Sequence, residues 1–479
     1  MKQARQKYLE SHIPKNFIDC IDELENKVRE GLFTAWSLAN NDFQISCFWA
    51  DESLPSNKKS EKKLEDILHP IFDLASLTKP LLINLYLRYL FKDDFLNKTQ
   101  EPIVNLIQSE RCDLGNKDLY NFFQNRNNVH FTLDSFLSHT SGAKSWHWMG
   151  SSVWRQKTTS HHSESHIFHT ILDSKESHYK ENVQINLNKK ALDSLLSSQF
   201  GTTNYSDINY YILARLVEII DIENDTWEKR IFFLNKYLHT NFMHASINSD
   251  YLNKCIPFYP YISSYNSEFS VQQIKNNPYG FVHDTNANIL AFLGNSAQIV
   301  SGHAGLFGNI CDVVKAVKML SLSQQALKKS NTLKQRFIYG LDTPESKETS
   351  AGIKNWPIQY GDVYGHLGYT GTSFWLYNRV DKKFSEDFHI LLTNRTSQRK
   401  KMGVDKCPRI LIVSDIQNGK THCFQIVDNL ISSLLLTEAQ EISLEYSGYS
   451  NRIWDTTVLR DLPNILDVRK FVAQKLWNI

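Results

Sequence analysis

Ile71-Phe72-Asp73-Leu74-Ala75-Ser76-Leu77-Thr78-Lys79-Pro80 is the stretch on which the reading of this chain turns. An apolar approach leads to one serine and, three residues on, one lysine. An apolar run, Leu81-Leu82-Ile83-Asn84-Leu85-Tyr86-Leu87-Arg88-Tyr89-Leu90-Phe91, then continues as a helix candidate. At a helix start, residues three apart share one face, so the two side-chain heads can meet. A serine hydroxyl is a weak nucleophile until a neighbour takes its proton, and a desolvated, neutral lysine is one such neighbour. The helix terminus would add partial positive charge and free N–H groups where an oxyanion forms. The bland alternative is a helix-capping serine.

Spacing alone does not decide, because Ser56/Lys59, Ser60/Lys63, Ser141/Lys144, Ser177/Lys180 and Ser397/Lys400 share it. Context separates them. Ser56, Ser60 and Ser397 stand in charged stretches and Ser177 in a polar one, where no lysine would be desolvated. Ser76 alone sits between an apolar approach and an apolar helix.

The octapeptide Phe72–Lys79 resembles the nucleophile motif of the serine β-lactamase and penicillin-binding-protein-like hydrolases, in the branch related to class C β-lactamases. The resemblance continues, in the family's order, through five further blocks: Phe136-Leu137-Ser138-His139-Thr140-Ser141-Gly142, Tyr205-Ser206-Asp207, Gly302-His303-Ala304-Gly305-Leu306-Phe307, Gly365-His366-Leu367-Gly368-Tyr369-Thr370-Gly371-Thr372, and Leu391-Leu392-Thr393-Asn394-Arg395. It covers roughly residues 15–400. It implies an α/β (α+β) fold, with an antiparallel sheet packed between helices, a mostly helical subdomain and the active site between them. The expected division is residues 15–91 and 285–435 for the discontinuous sheet domain, 92–284 for the helical insertion, and 436–479 for a C-terminal extension. Neither metal nor organic cofactor is implied.

The resemblance assigns roles residue by residue. Ser76 and Lys79 carry the first motif. Tyr205 carries the second, a Tyr-x-Asn pattern in which Asp207 stands where the family has Asn; this puts in doubt any substrate contact from position 207. Tyr449-Ser450-Asn451 matches that pattern literally but follows the third motif, out of order. The third motif, Lys-Thr-Gly or His-x-Gly on a sheet-edge strand, falls on His366-Leu367-Gly368, which leads into the strand-like Thr370–Tyr377. Gly368 would let a substrate backbone lie close, and the Tyr369 N–H would join that of Ser76 as oxyanion donor. His303 belongs to the other His-x-Gly match and reads as a loop residue beside the cleft, with substrate contact as its functional alternative. The expected activity is acyl transfer to water from an ester or amide, as in an esterase or D-amino-acid peptidase. A true β-lactamase is the first alternative; a non-catalytic peptide- or glycan-binding protein is the second. The expected partner is a small or short peptide-like substrate, not nucleic acid.

Other residues weighed for function read as structure. His139 and Ser141 suit a turn after a helix, closed by Gly142. His161, His162, His166 and His169 include three on one helix face, but they lack a companion cysteine in a Ser/Thr-rich stretch, which favours a solvated loop over zinc. No Gly-x-Gly-x-x-Gly, phosphate-loop or calcium-loop pattern occurs.

Composition agrees with an enzyme of this size. The 479 residues are 41% hydrophobic and 12% aromatic, enough to bury a large core without disulfides. Lys+Arg 53 against Asp+Glu 51 leaves a net charge of +2, which argues against a chain built to hold nucleic acid or coat an acidic membrane. Seven scattered cysteines with no Cys-x-x-Cys suit a reducing compartment. The first residues show no apolar core of a signal peptide, and Pro80–Phe91 is too short to span a bilayer; a cytoplasmic protein is the expectation. Apolar spacing predicts a helix from Phe17 to Leu32 and a hairpin of Phe33–Leu38 with Phe43–Trp49 through Asn40-Asn41-Asp42. It also predicts a solvated run at Ser56–Asp66, a helix at Ile208–Ile220, a strand at His389–Thr393, and helices at Phe424–Leu436 and Leu466–Trp477.

Overall fold

The computed structural model describes residues 13–30, 32–49, 69–107, 113–145, 177–197, 199–247, 282–291, 299–320, 336–343, 361–379, 386–395, 409–427, 430–434 and 465–477. The helices are α1 Lys15–Arg29, α2 Leu85–Phe91, α3 Phe95–Gln100, α4 Lys117–Gln124, α5 Leu133–Leu137, α6 Ser177–Leu196, α7 Asp207–Ile220, α8 Trp227–Leu238, α9 Thr285–Ala291, α10 Ile310–Lys318 and α11 Ile465–Trp477. The strands are β1 Phe33–Asn40, β2 Phe43–Trp49, β3 Phe72–Asp73, β4 Met243–His244, β5 Leu306–Gly308, β6 Phe337–Ile338, β7 Leu341–Asp342, β8 Gly361–Leu367, β9 Ser373–Arg379, β10 Glu386–Arg395, β11 Arg409–Asp415, β12 Lys420–Val427 and β13 Leu430–Leu434.

Ten of these strands form one antiparallel sheet in the order β13-β12-β11-β2-β1-β10-β9-β8-β7-β6, so the fold is mixed α/β around a large antiparallel sheet. Its centre joins the two ends of the chain: β1 pairs with β10, Leu38 opposite Leu391. Near the start of β1 the register shifts, and the Asn394 side chain fills the irregularity, its Oδ1 accepting the Thr34 and Ala35 N–H groups at 3.1 and 2.9 Å. That gives Asn394, part of the last block of the resemblance, a structural task.

Helices cover both faces. On one, α1 and α11 lie side by side, and Phe17, Ile18, Ile21, Leu24 and Val28 bury against Trp36, Leu38, Ile45, Val468 and Val472. The three- and four-residue spacing of those α1 residues is what makes one apolar stripe. Burying each large side chain stabilises by about 1.5–3 kcal/mol. Glu25 on this face is also buried, held by Trp36 Nε1 at 2.8 Å and Arg409 Nε at 3.0 Å. The opposite face receives Ala35, Ala39 and Phe48 into the larger core, with α7, α10 and the segment after Ser76.

One expectation needs correction. Phe424–Leu436 is not helical: β12 and β13 pair with each other and extend the sheet beyond β11, Ile412 opposite Cys423 and Ile426 opposite Ile431. A short apolar run has no period that separates a strand from a helix, and here the open edge of β11 supplies the pairing. Within residues 92–284, the two-residue strand β4 joins β3 and β5 in a small second sheet. Residues 436–464, including Tyr449, and the His161–His169 cluster lie outside the described residues, as does Ser56–Asp66. Among the described residues, no helix is long and apolar enough to cross a membrane.

Candidate active site

The first motif is presented on a constrained turn. Phe72 and Asp73 pair with Gly308 and Phe307 of β5. The buried Asp73 carboxylate then accepts the Ala75 N–H at 2.8 Å and, with its other oxygen, the His283 N–H at 2.8 Å. Burial pushes its pKa up to about 7, although both N–H groups and the charge of nearby Asp284 also act on it, the first two downward. Ala75 itself has φ +47°, a left-handed conformation that is costly for a residue with a Cβ. Ser76 follows inside a single 3-10 turn, Ala75–Leu77, whose N-cap is Leu74, and its hydroxyl takes the Lys79 ammonium, so the capping alternative does not describe it.

Lys79 begins a π-helical segment, Lys79–Asn84, and is 0% exposed. Its Nζ lies 3.1 Å from Ser76 Oγ, 2.8 Å from Asp207 Oδ1 and 3.3 Å from the His303 carbonyl oxygen. An ammonium has three protons to donate, and three acceptors surround this one. Burial opposes the charge, but Asp207 and the Tyr205 hydroxyl outweigh it and the pKa is raised. The neutral lysine expected from the sequence is thus replaced by a cation. The substitution of Asp for Asn at position 207 is the reason, and it commits Asp207 to Lys79. Asp207→Asn is therefore expected to lower the Lys79 pKa by about one to three units. The alkaline titration of the Lys79 ammonium should then fall at a lower pH than in the unmodified protein; an unmoved titration would show that Asp207 does not hold the proton.

Tyr205 stands across from this pair, half-buried, with the ammonium 4.8 Å from its ring centroid and its hydroxyl within electrostatic reach of Lys79 and Ser76. Burial raises its pKa and Asp207 adds to that, while Lys79 pulls it down. The tyrosine is positioned from beneath by His139, whose ring lies 4.7 Å from it and whose Nδ1 accepts the Ser206 N–H at 3.0 Å. Ser206 caps α7 through the Asn209 N–H, and Asn209 takes the Ser141 hydroxyl at 2.6 Å. The turn expected at His139–Gly142 is present, with Gly142 at φ +83° and the Gln199 carbonyl where its Cβ would be. Its buried histidine does more than the sequence suggested. It orients the second motif, and burial holds its pKa well below the ordinary value.

The third motif closes the site from the sheet edge. His366 is the penultimate residue of β8, paired opposite Phe374, and its ring lies 6.0 Å from that of Tyr205. Its Nδ1 lies 2.9 Å from the Leu367 carbonyl, which can only accept, so Nδ1 carries the proton and Nε2 a lone pair. Burial, reinforced by Lys79, drops its pKa to about 3. Thr370–Thr372 form a turn before β9 rather than the start of a strand. The hydroxyls of Thr370 and Thr372 reach the Asp73 and Leu74 carbonyls at 3.0 and 3.3 Å, tying this turn to that of the nucleophile. Gly368 is required for that contact: a Cβ there would sit 2.1 Å from Thr372 Oγ1 and 2.9 Å from the Leu74 oxygen. On its Cβ side, Gly368 therefore packs against the protein itself. Tyr369 is 57% exposed at the rim, stacked on His283 at 4.5 Å.

His303, read from sequence as a loop residue beside the cleft, lies in the bend before β5. It is buried, its carbonyl receives Lys79 and its Nε2 lies 2.9 Å from Asp284 Oδ1. Burial opposes its charge, but Asp284 and Asp207 raise its pKa, and His303 in turn lowers that of Asp284. Asp207, Asp284 and His303 bring three potential ligand atoms within 4.8 Å of one another. Their carboxylates are already balanced by Lys79 and the imidazole, so the group reads as an ion-pair array. Asp284 and His139 were not assigned roles from sequence, and Asp284, 77 positions past Asp207, leaves no local signal.

No protein-family model matches the chain, and no curated protein sequence matches it.

Proposed function

We propose that this chain is a serine acyl hydrolase with a fold and mechanism of the β-lactamase and penicillin-binding-protein-like kind. The observation that carries the reading is the meeting of Ser76 Oγ and Lys79 Nζ at 3.1 Å with the Tyr205 ring, whose centroid lies 4.8 Å from that nitrogen, drawn from two segments over a hundred residues apart. Ser76 attacks the substrate carbonyl. Tyr205 enters as the phenolate, a form that burial disfavours and the Lys79 ammonium favours; it takes the serine proton, becomes the phenol and then gives that proton to the leaving group, while Lys79 stays an ammonium throughout. The Ser76 and Tyr369 N–H groups receive the oxyanion, and water releases the acyl-enzyme. The test is intact-mass analysis after exposure to a fluorophosphonate: a single adduct mapped to Ser76 supports acyl transfer. No adduct with this or a penicillin-type probe would favour a binding protein.

The substrate is a neutral ester or small amide. A Lys-Thr-Gly lysine would offer a permanent cation to a carboxylate, whereas His366 is uncharged and presents a lone pair. Neutral short-chain esters should therefore be turned over with a kcat/KM at least about tenfold above that of carboxylated β-lactams, with no contribution from His366 titration between pH 6 and 8. His366→Lys should narrow that gap. Efficient penicillin hydrolysis by the unmodified protein at pH 8 would reject this assignment.

A further inference from the structure

We infer that Arg469, on the C-terminal helix α11, is a positioning residue for the oxyanion hole, aiming and polarising the Tyr369 N–H through the peptide it shares with Gly368. This rests on the acyl-transfer reading above and adds to it a residue 101 positions beyond the third motif.

Arg469 is 6% exposed, and its guanidinium is turned onto the 368–372 turn. One terminal nitrogen donates to the Gly368 carbonyl at 2.5 Å and to the Thr372 carbonyl at 2.8 Å, while Nε donates to the Gly371 carbonyl at 3.3 Å. A planar fork on three carbonyls fixes orientation in a way that a flexible ammonium does not. The Gly368 oxygen and the Tyr369 N–H belong to one peptide unit, and the described chain has no cis peptide bond. In a trans unit the N–H points opposite the C=O. Holding the oxygen from behind therefore sets the direction of the N–H in front, and a cation on the oxygen strengthens the N–H as a donor.

Other bonds also hold the turn, among them one from the Thr393 hydroxyl of β10 to the Thr370 carbonyl at 2.8 Å. The Gly371 N–H bonds the same Gly368 oxygen at 3.1 Å, Gly368 N–H reaches Thr372 at 2.8 Å, and the two threonine hydroxyls link it to the nucleophile turn. Arg469 provides the grip from the opposite face of the sheet, and α11 itself is anchored on α1 by Val468 and Val472. The geometry gives the C-terminal segment a catalytic consequence although it carries no motif.

The experiment compares a neutral p-nitrophenyl ester with its thionoester, whose sulfur is poorly served by an oxyanion hole. Measurements use the full chain and the variants Arg469→Met and Arg469→Lys, with thermal stability and fluorophosphonate labelling recorded for each. The expected result is a fall in kcat of about tenfold to a hundredfold for the oxo ester in Arg469→Met, short of deleting a donor outright. KM should stay within about threefold, and the oxo-to-thiono ratio of kcat/KM should shrink by about tenfold. Arg469→Lys, which keeps the charge and loses the fork, should recover part of that ratio. A folded Arg469→Met that loses both substrates equally, or keeps the ratio, overturns the assignment. Should Arg469→Met fail to fold, an unchanged ratio in Arg469→Lys overturns it. If the unmodified protein is neither labelled at Ser76 nor active on either ester, the acyl-transfer reading itself falls.

Discussion

Ser76→Ala is expected to remove covalent labelling and to lower turnover by about four orders of magnitude or more, the loss typical of deleting a nucleophile. The fold should tolerate it. The hydroxyl lies inside the 3-10 turn rather than at its N-cap, and what it gives to stability is the acceptor for one Lys79 proton at 3.1 Å. A hydrogen bond to a charged group contributes about 1.5–3 kcal/mol when both partners are withdrawn from water, and Ser76 is only half-buried. The strained Ala75 turn and the crowded ammonium are features that catalysis needs and stability does not, so the net change should stay within about 2 kcal/mol. Labelling by mass spectrometry, turnover of a neutral ester and a thermal melt on the same preparation check all three points. Full turnover in Ser76→Ala would mean that another serine acts, and the mechanism would have to be rebuilt around it.

How much of this was legible in the sequence depended on how local each cause was. The α1 stripe and the β1–β2 hairpin could be read because the periodicity that buries them is contained in the segment, and α7 and α11 match their expected spans within a residue. Strand β10 runs beyond His389–Thr393 at both ends, because its length follows from pairing with β1 and β9 rather than from its own apolar centre. For β12 and β13 the cause is an edge offered by β11, which no feature within Phe424–Leu436 announces. The site divides in the same way. Ser76 and Lys79 meet because they are three apart on one turn. That Lys79 is charged follows from Asp207, 128 positions away; the departure from the family pattern was visible, but its partner was not. Asp73 carried an overlooked signal, since a carboxylate inside Ile71-Phe72-Asp73-Leu74-Ala75 must find donors if it is to be buried. Arg469 carried none.

Tyr205→Phe and Lys79→Met should each slow acylation by about a hundredfold or more, and the double variant should lose little beyond the larger single loss. The phenylalanine keeps the ring against His139 and above the ammonium, so the single change isolates the hydroxyl. The lysine change is less clean. Asp207, with its side chain 17% exposed, is left without its cation, and breaking a buried pair from one side costs about 3–5 kcal/mol. Lys79→Met/Asp207→Asn therefore serves as the control: it removes both charges and should regain part of the lost stability without regaining activity. Non-additivity between Tyr205 and Lys79 follows from the single proton path that they form with Ser76. Once the hydroxyl is gone, there is no phenolate for the ammonium to stabilise, and once the ammonium is gone, the elevated Tyr205 pKa makes the hydroxyl a poor relay. Rates multiplied in full by the two substitutions would instead mean that Lys79 acts on the substrate and Tyr205 on the serine, as independent groups.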